Sequence, residues 1–422
     1  MNHTDFVSPR YRLGALFLGL ATIVAACGQS GSSTSPTDEF DVDDWESVLA
    51  AAEGTTVRWH MWGGNDNLNQ FVDDVYGERL EALGVELERV PIEDTADAVT
   101  SVISETEAGE EDGSIDVIWI NGANSATLAD QDLLYEGWSK ALPNARFVDF
   151  DNKAVTSDFG RDIGDAQSPW ASAQIQLVHD SAELDEGDLP RSYEELAAYA
   201  CDNPGRVTYV DPNDFHGARF LNGALYELVG DVDQFSTFDE DTWATQSPVL
   251  WDWLNGWESC LWREGQTYPE DDAAMHNLLA NGEIDFSITL AVGGATPQIE
   301  DETLPETAQA FVFDDWMIGD SSYVAIPVNA SNPAGAMVLA DVLLDPALQA
   351  QQLAPEAGGS GLAIDISTVT DEEDVDAVNN ALEALPAGAV APDVLAESVA
   401  PVAAADYQQR LGEDWRPNVV EN

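Results

Sequence analysis

Thr55-Thr56-Val57-Arg58-Trp59-His60-Met61-Trp62, followed at once by Gly63-Gly64-Asn65-Asp66, decides how the fold is read. β-Branched and aromatic residues dominate the first eight positions, as a pleated, half-buried strand requires, and the paired glycines end it. From Asn67 to Leu83 the apolar residues Leu68, Phe71, Val72, Val75 and Leu80 recur near helical spacing, and Gly84 stops the helix. Val85–Val90 reads as a second strand and Thr95–Ala108 as a second helix. Ile115-Asp116-Val117-Ile118-Trp119-Ile120 is almost continuously apolar, which suits a parallel strand covered on both faces. The order β-α-β-α-β implies a doubly wound α/β lobe.

In such a sheet ligands bind at the carboxyl ends of the strands. Two loops stand there, Gly63-Gly64-Asn65 and Asn121-Gly122-Ala123-Asn124. Glycine lets a backbone approach closely, and asparagine both donates and accepts. The plainer reading is turn chemistry, since Gly and Asn are the commonest turn formers. Two such loops at one sheet edge favour a site.

A second lobe begins near Pro169-Trp170. Ala173–Val178 alternates as a strand, Ser192 and Glu195 fit a capping box, and Val207–Val210 reads as a strand. Asp211-Pro212-Asn213-Asp214-Phe215-His216-Gly217 then leads into a helix through Val229. Trp243, Trp251, Trp253, Trp257 and Trp262 read mainly as core. Further on, Ile284–Leu290 and Tyr323–Pro327 read as strands, and Asn332–Leu344, Asp374–Leu385 and Val394–Leu411 as helices.

Of 422 residues, 79 are Asp or Glu and 15 are Lys or Arg, a formal net charge of −64. A hydrophobic fraction of 44% shows that this acidity does not come from a disordered composition. Default binding to nucleic acid or anionic lipid is excluded by repulsion. Only two lysines occur, Lys140 and Lys153. Such a surface suits concentrated salt, where repulsion is screened within about 3 Å at 1 M. Attraction of a cationic ligand is the compatible alternative.

At the N-terminus Arg10 and Arg12 precede an apolar run of 14 residues, Leu13–Ala26. The run is shorter than the roughly 20 residues of a membrane-spanning helix and has the size of a signal-peptide core. It ends Val24-Ala25-Ala26-Cys27-Gly28, which resembles a bacterial lipobox with Cys27 as the lipidated residue. Gly28–Thr37 reads as a flexible tether. Export makes Cys201 and Cys260 a disulfide pair in preference to free thiols.

Catalytic and metal signatures are absent from the sequence pattern. The five histidines lack HExxH spacing, no G-x-S-x-G elbow occurs, and paired carboxylates carry no information among 79 acids. No cofactor or metal is expected.

Several segments resemble the YnjB-type family of extracytoplasmic solute-binding lipoproteins of ABC importers. They include Trp62-Gly63-Gly64-Asn65, Ser114–Asn124, Leu133–Trp138, Asn203–Tyr209, Asp214-Phe215-His216-Gly217, Leu261–Gly265 and Val324-Ala325-Ile326-Pro327-Val328-Asn329-Ala330-Ser331. The likeness runs from about Thr55 and thins after Ser360. It implies a periplasmic-binding-protein-like fold (type II), two doubly wound α/β lobes joined by crossover segments, with an ABC permease and its ATPase as partners. The family's ligand is poorly defined, being grouped with thiamine, polyamine, iron and sugar binders. The chain departs from the family at Leu290-Ala291-Val292-Gly293-Gly294, where an Asn-Pro pair is expected.

The expected organisation is therefore a lipoprotein signal peptide over 1–26 and a tether with an acidic segment over 27–54. The first lobe takes 55–168 and 320–365, the second 169–319 and 366–422. The expected function is non-enzymatic capture of a small organic solute, thiamine-like or polyamine if cationic, by a monomer anchored outside the cytoplasm through its lipid. The expected ligand residues are Trp62, Gly63, Asn65, Asn121 and Asn124 from one lobe, and Trp170, Gln174, Asp214, Phe215 and Gly217 from the crossover and the other. A secreted hydrolase and a non-transport ligand sensor are the alternatives.

Overall fold

A computed structural model describes residues 40–421. The apolar run, Cys27 and the tether up to residue 39 lie outside the described residues. Thr56–Trp62 pairs in parallel with Glu86–Ile92 on one side and with Val117–Ile120 on the other. Its alternate residues Val57, Trp59 and Met61 are buried, so the period of two seen in the sequence is the pleat of the strand. The intervening helix covers Asp66–Ala82 with one π-helical stretch, Val72–Tyr76, inside it. Helix Thr95–Ala108 is capped by the Asp94 carboxylate and closed by Gly109 at φ +76°, in the left-handed region that favours glycine.

One long strand, Met317–Ala325, completes this sheet and runs antiparallel to Val117–Ile120, with Val324 opposite Trp119. It also pairs in parallel with Val399–Pro401 and in antiparallel with Gln167–Gln174. The sheet order is thus Val399–Pro401, Met317–Ala325, Val117–Ile120, Thr56–Trp62, Glu86–Ile92.

Asp116 knits the three-strand unit to distant sequence. It is fully buried, and its Oδ2 accepts from Arg58 Nε at 2.9 Å. Its Oδ1 accepts from Arg58 Nη2, Ser331 Oγ and the Asn332 amide, each at 3.0 Å. A buried carboxylate demands this saturation with donors. It docks helix Pro333–Leu343 onto the sheet edge.

Two large cores result. One gathers apolar side chains of 48–171 and 324–369; the other those of 175–318 and 390–419. The described residues nonetheless form one compact unit. In the second core Gln176–Asp180 pairs in antiparallel with both Ser287–Thr289 and Ala308–Phe311. Trp243, Trp251 and Trp257 of helix Glu240–Trp257 are buried there. A disulfide joins Cys201, near the end of helix Tyr193–Asp202, to Cys260 after that Trp-rich helix.

Three sequence expectations are corrected. The strand expected over Ala173–Val178 breaks at Ile175, whose N–H donates to Ile318 O at 2.9 Å, so one half serves each core. Val207–Val210 is buried but joins no ladder. Backbone partners in loops hold it: Val207 O accepts from the Trp262 amide, and the Asp211 amide donates to Pro269 O. The helix expected over Val394–Leu411 is two helices, Pro392–Ser398 and Ala405–Trp415, separated by the strand Val399–Pro401. Pro401 has no N–H to give a helix interior, and an edge strand tolerates it.

Candidate ligand-binding site

Trp62 ends its strand with its ring 46% exposed and meets Trp119 edge-on, centroids 6.5 Å apart. A Cβ on Gly64 would fall 2.0 Å from the Trp62 ring, so only glycine lets that ring lie over the turn. Gly63 donates its N–H to Ile92 O and accepts from Asn69 Nδ2. Asn65 serves as a helix cap, its Oδ1 accepting from the Leu68 amide at 3.0 Å.

Asn121 reaches further. Its Nδ2 donates to Ser321 O at 2.7 Å, tying the loop after Val117–Ile120 to the strand that passes between the cores. The N-terminus of helix Gly122–Ala129 is already filled: Asp158 Oδ1 accepts the Gly122 N–H at 2.7 Å. Burial pushes the Asp158 carboxyl above its ordinary range, opposed by that N–H. Asn124 is half-buried in the first turn of the same helix.

From the second core comes helix Phe215–Val229. Asp214 caps it through the His216 amide at 2.8 Å. Gly217 packs so closely that a Cβ would fall 2.4 Å from Val210 O. Phe215 is 48% exposed, and the Arg219 guanidinium stacks on it 3.2 Å from the centroid. Arg219 Nη2 donates to Asp320 Oδ2 at 2.8 Å. Burial pulls the Arg219 guanidinium below its ordinary value, and Asp320 opposes this. Phe215 and Asn121, expected from different lobes, are therefore connected through adjacent residues, Asp320 and Ser321.

Trp170 is placed differently from expectation. It is fully buried, edge-on to Trp59 at 5.3 Å and to Trp119 at 4.9 Å, and belongs to the first core. No face of its ring is free to stack on a solute, because the stretch Gln167–Ala171 is buried on both faces of the strand.

Gln174 lines a cavity of about 370 Å³ whose walls come from both parts of the chain. Its floor includes Ser172 and Ser321 of the crossover strands, and its lining holds Asp149, Asp320, Asp365 and Asp393 without any Lys, Arg or His. Gln174 Nε2 is engaged by Ser398 Oγ at 2.9 Å. Gln176 also lines the cavity; it is 1% exposed, its Nε2 donates to Ala291 O, and its Oε1 has no partner. A buried acceptor without a donor is an opening for a ligand N–H or O–H. Trp62, Asn65, Asn121 and Phe215 do not line this cavity.

Sequence reasoning missed Arg219, Asp320 and Gln176. A signal existed for the first: an arginine stands between Ala218 and Phe220 in a largely apolar helix of a chain with few bases. Asp320 is one acid among 79.

Residues 76–364 match the family described as bacterial extracellular solute-binding protein. Protein YnjB of Escherichia coli K12 is 35% identical over 331 residues, covering 78% of this chain and 84% of YnjB. Among solved structures, a Bordetella parapertussis protein described as an extracellular solute-binding protein superposes with TM-score 0.63 at 14% identity, covering 86% of this chain and 98% of its own. A Bordetella ferric binding protein does so with TM-score 0.59 at 14% identity, covering 87% and 100%.

Proposed function

The chain belongs to the bacterial extracellular solute-binding proteins, and from that premise we propose that it captures a small organic cation for an ABC importer. The two cores act as the lobes, 55–168 with 320–365 and 169–319 with 366–422, and the crossover strands act as the hinge. The observation that supports this most is the cavity between them, rich in aspartate, free of basic side chains and holding the unpartnered Gln176 Oε1. A cation with N–H donors supplies what that acceptor lacks, and Asp149, Asp365 and Asp393 add negative charge that no basic side chain of the lining offsets. Trp62 and Phe215, exposed at the edges of the two parts, would close on the solute as aromatic walls. Capture needs no bond-making step, so no residue is given a catalytic role.

Cys27 anchors the protein to the membrane by lipid, and the acidic surface is an adaptation to salt. Cys27→Ala should then release the protein from the membrane fraction, and the melting temperature should climb from low to molar KCl.

The test is a thermal-shift screen in KCl with thiamine, polyamines, amino acids, sugars and ferric citrate. A cation at a hundred times its Kd should stabilise the protein by about 2.7 kcal/mol. Gln176→Leu should weaken that cation's binding about tenfold, a loss of roughly 1.4 kcal/mol. A neutral sugar that binds while every cation fails would refute the cationic reading.

A further inference from the structure

The chain leaves the first core after Val155 and rejoins it at Trp170, and in between it makes an excursion onto the second core. The excursion is hairpin Ser157–Asp162, in which Ser157 faces Asp162 and Asp158 faces Arg161. Its two-residue tip, Phe159-Gly160, has φ of +48° and +84°. Two positive φ values in succession are what a type I′ hairpin turn requires, and Asn, Asp or Gly is the usual first residue there. A phenylalanine holds that position only where something outside the turn grips its ring.

The grip comes from the junction of the two cores. Phe159 packs against the second core. On its other side, Phe159 Cδ2 would stand 3.4 Å from a Cβ placed on Gly122, in the loop after strand Val117–Ile120 of the first sheet. Gly160 sits still closer to the second core: a Cβ there would fall 2.2 Å from Ser236 O and 3.1 Å from Ala404 Cα. Those two segments are themselves joined, the Ala404 amide donating to Phe235 O at 2.8 Å. The rest of the hairpin is fixed to the first-sheet side. Asp158 Oδ1 accepts the Gly122 N–H, and Arg161 Nη1 stands 2.6 Å from Asp130 Oδ1. A lone two-stranded hairpin is marginal in water, so these contacts order it, and it bridges the cores in return.

A charge pair runs beside it. Lys153, in the short helix Lys153–Thr156 that leads into the hairpin, pairs with Asp233, two residues before the second core's Phe235. Lys153 is one of only two lysines in the chain. Both partners are more than half exposed, so salt screens the pair and it exchanges readily with water. Ala154 and Val155 of the same short helix line the cavity between the cores.

We propose that hairpin Ser157–Asp162 is a latch across the two cores, with Phe159-Gly160 as its bolt and Lys153–Asp233 as a weaker support. The cores cannot part while the tip is seated, so the cavity opens to solute only when Phe159 and Gly160 leave Ser236 and Ala404. This rests on the reading of the two cores as closing lobes. Its test uses no solute, so the solute screen can fail while the latch stands, and the reverse.

The test compares the full chain with Gly160→Val and Phe159→Ala by small-angle X-ray scattering and amide hydrogen exchange in molar KCl. Gly160→Val drives a side chain against Ser236 O, and Phe159→Ala removes the ring while keeping the turn's length. Either should raise the radius of gyration above the parent's and speed exchange over 158–162 and 234–237 at least about tenfold. Strands Thr56–Trp62 and Gln176–Asp180, one in each core, should exchange as before. At reduced salt Lys153→Gln should speed the same amides about threefold, and Lys153→Arg should restore the parent rate. Should Gly160→Val fail to fold, Phe159→Ala decides. An unchanged radius of gyration in Phe159→Ala overturns the proposal even if the hairpin exchanges faster, because the turn then frays without the cores parting. Faster exchange throughout both cores overturns it as well, since that is general loosening.

Discussion

Arg219 and Asp320 form an ion pair of 2.8 Å between a helix of the second core and the strand shared by both cores, with Arg219 only 1% exposed. Each partner is there because of the other. Asp320→Asn leaves a guanidinium buried without its charge partner and should cost about 3–5 kcal/mol in urea denaturation. Adding Arg219→Met to that variant should recover much of the loss. A single variant within about 0.5 kcal/mol of the parent would mean that water already compensates Arg219.

Trp62 and Trp170 separate ligand contact from packing. Trp170→Ala empties a fully enclosed space and should cost about 3–5 kcal/mol. Trp62→Ala removes a half-exposed ring and should change stability by about 0.5 kcal/mol or less. It should weaken solute binding about tenfold if its cation–π contact is made. Equal melting curves for the two variants would sink this division of labour.

Burial pushes the Asp341 carboxyl up to about 6, against the opposing Asn144 amide, which donates to its Oδ1 at 2.8 Å. The folded state therefore prefers the protonated form. Its contribution to stability is complete below the ordinary value of 3.8 and is lost as pH rises through about 6. Asp341→Asn should remove this drop. The difference in unfolding free energy between parent and variant should move by about 2 kcal/mol between about pH 4 and pH 6, in the variant's favour at the upper end. Parallel pH profiles would contradict it.

The Cys201–Cys260 disulfide closes a loop of sequence separation 59. Loop-closure entropy alone gives about 4 kcal/mol for that length. The double variant Cys201→Ser with Cys260→Ser should shift the denaturant midpoint accordingly, and a reducing agent should mimic it in the parent. A midpoint that does not move would place the constraint elsewhere.

Much of the first sheet was legible because its signals are local. Alternation marks Thr56–Trp62, and Asp94 and Gly109 bracket helix Thr95–Ala108 at its observed ends. What escaped was set by partners far away. The antiparallel run of Met317–Ala325 depends on Val117–Ile120, some 200 residues earlier, and nothing in its own alternation states a direction. Val207–Val210 has the composition of a strand but no neighbour to ladder with. At the site, loop chemistry pointed to Trp62, Asn121 and Phe215 but could not tell an enclosed Trp170 from an exposed Trp62. Burial, which singles out Arg219 and Gln176, is a tertiary property that one residue in a row of letters does not carry.

The first core's dependence on residues 324–369 also bears on how the chain is made. Synthesis delivers 48–171 well before those closing segments, with about 150 residues between them. At roughly 5–20 residues per second, the opening sheet waits on the order of 8–30 s for the strand and helices that cover it. During that interval its aromatic face has no lid of its own. A newborn chain of this protein therefore keeps that face uncovered for longer than a protein built from consecutive domains would.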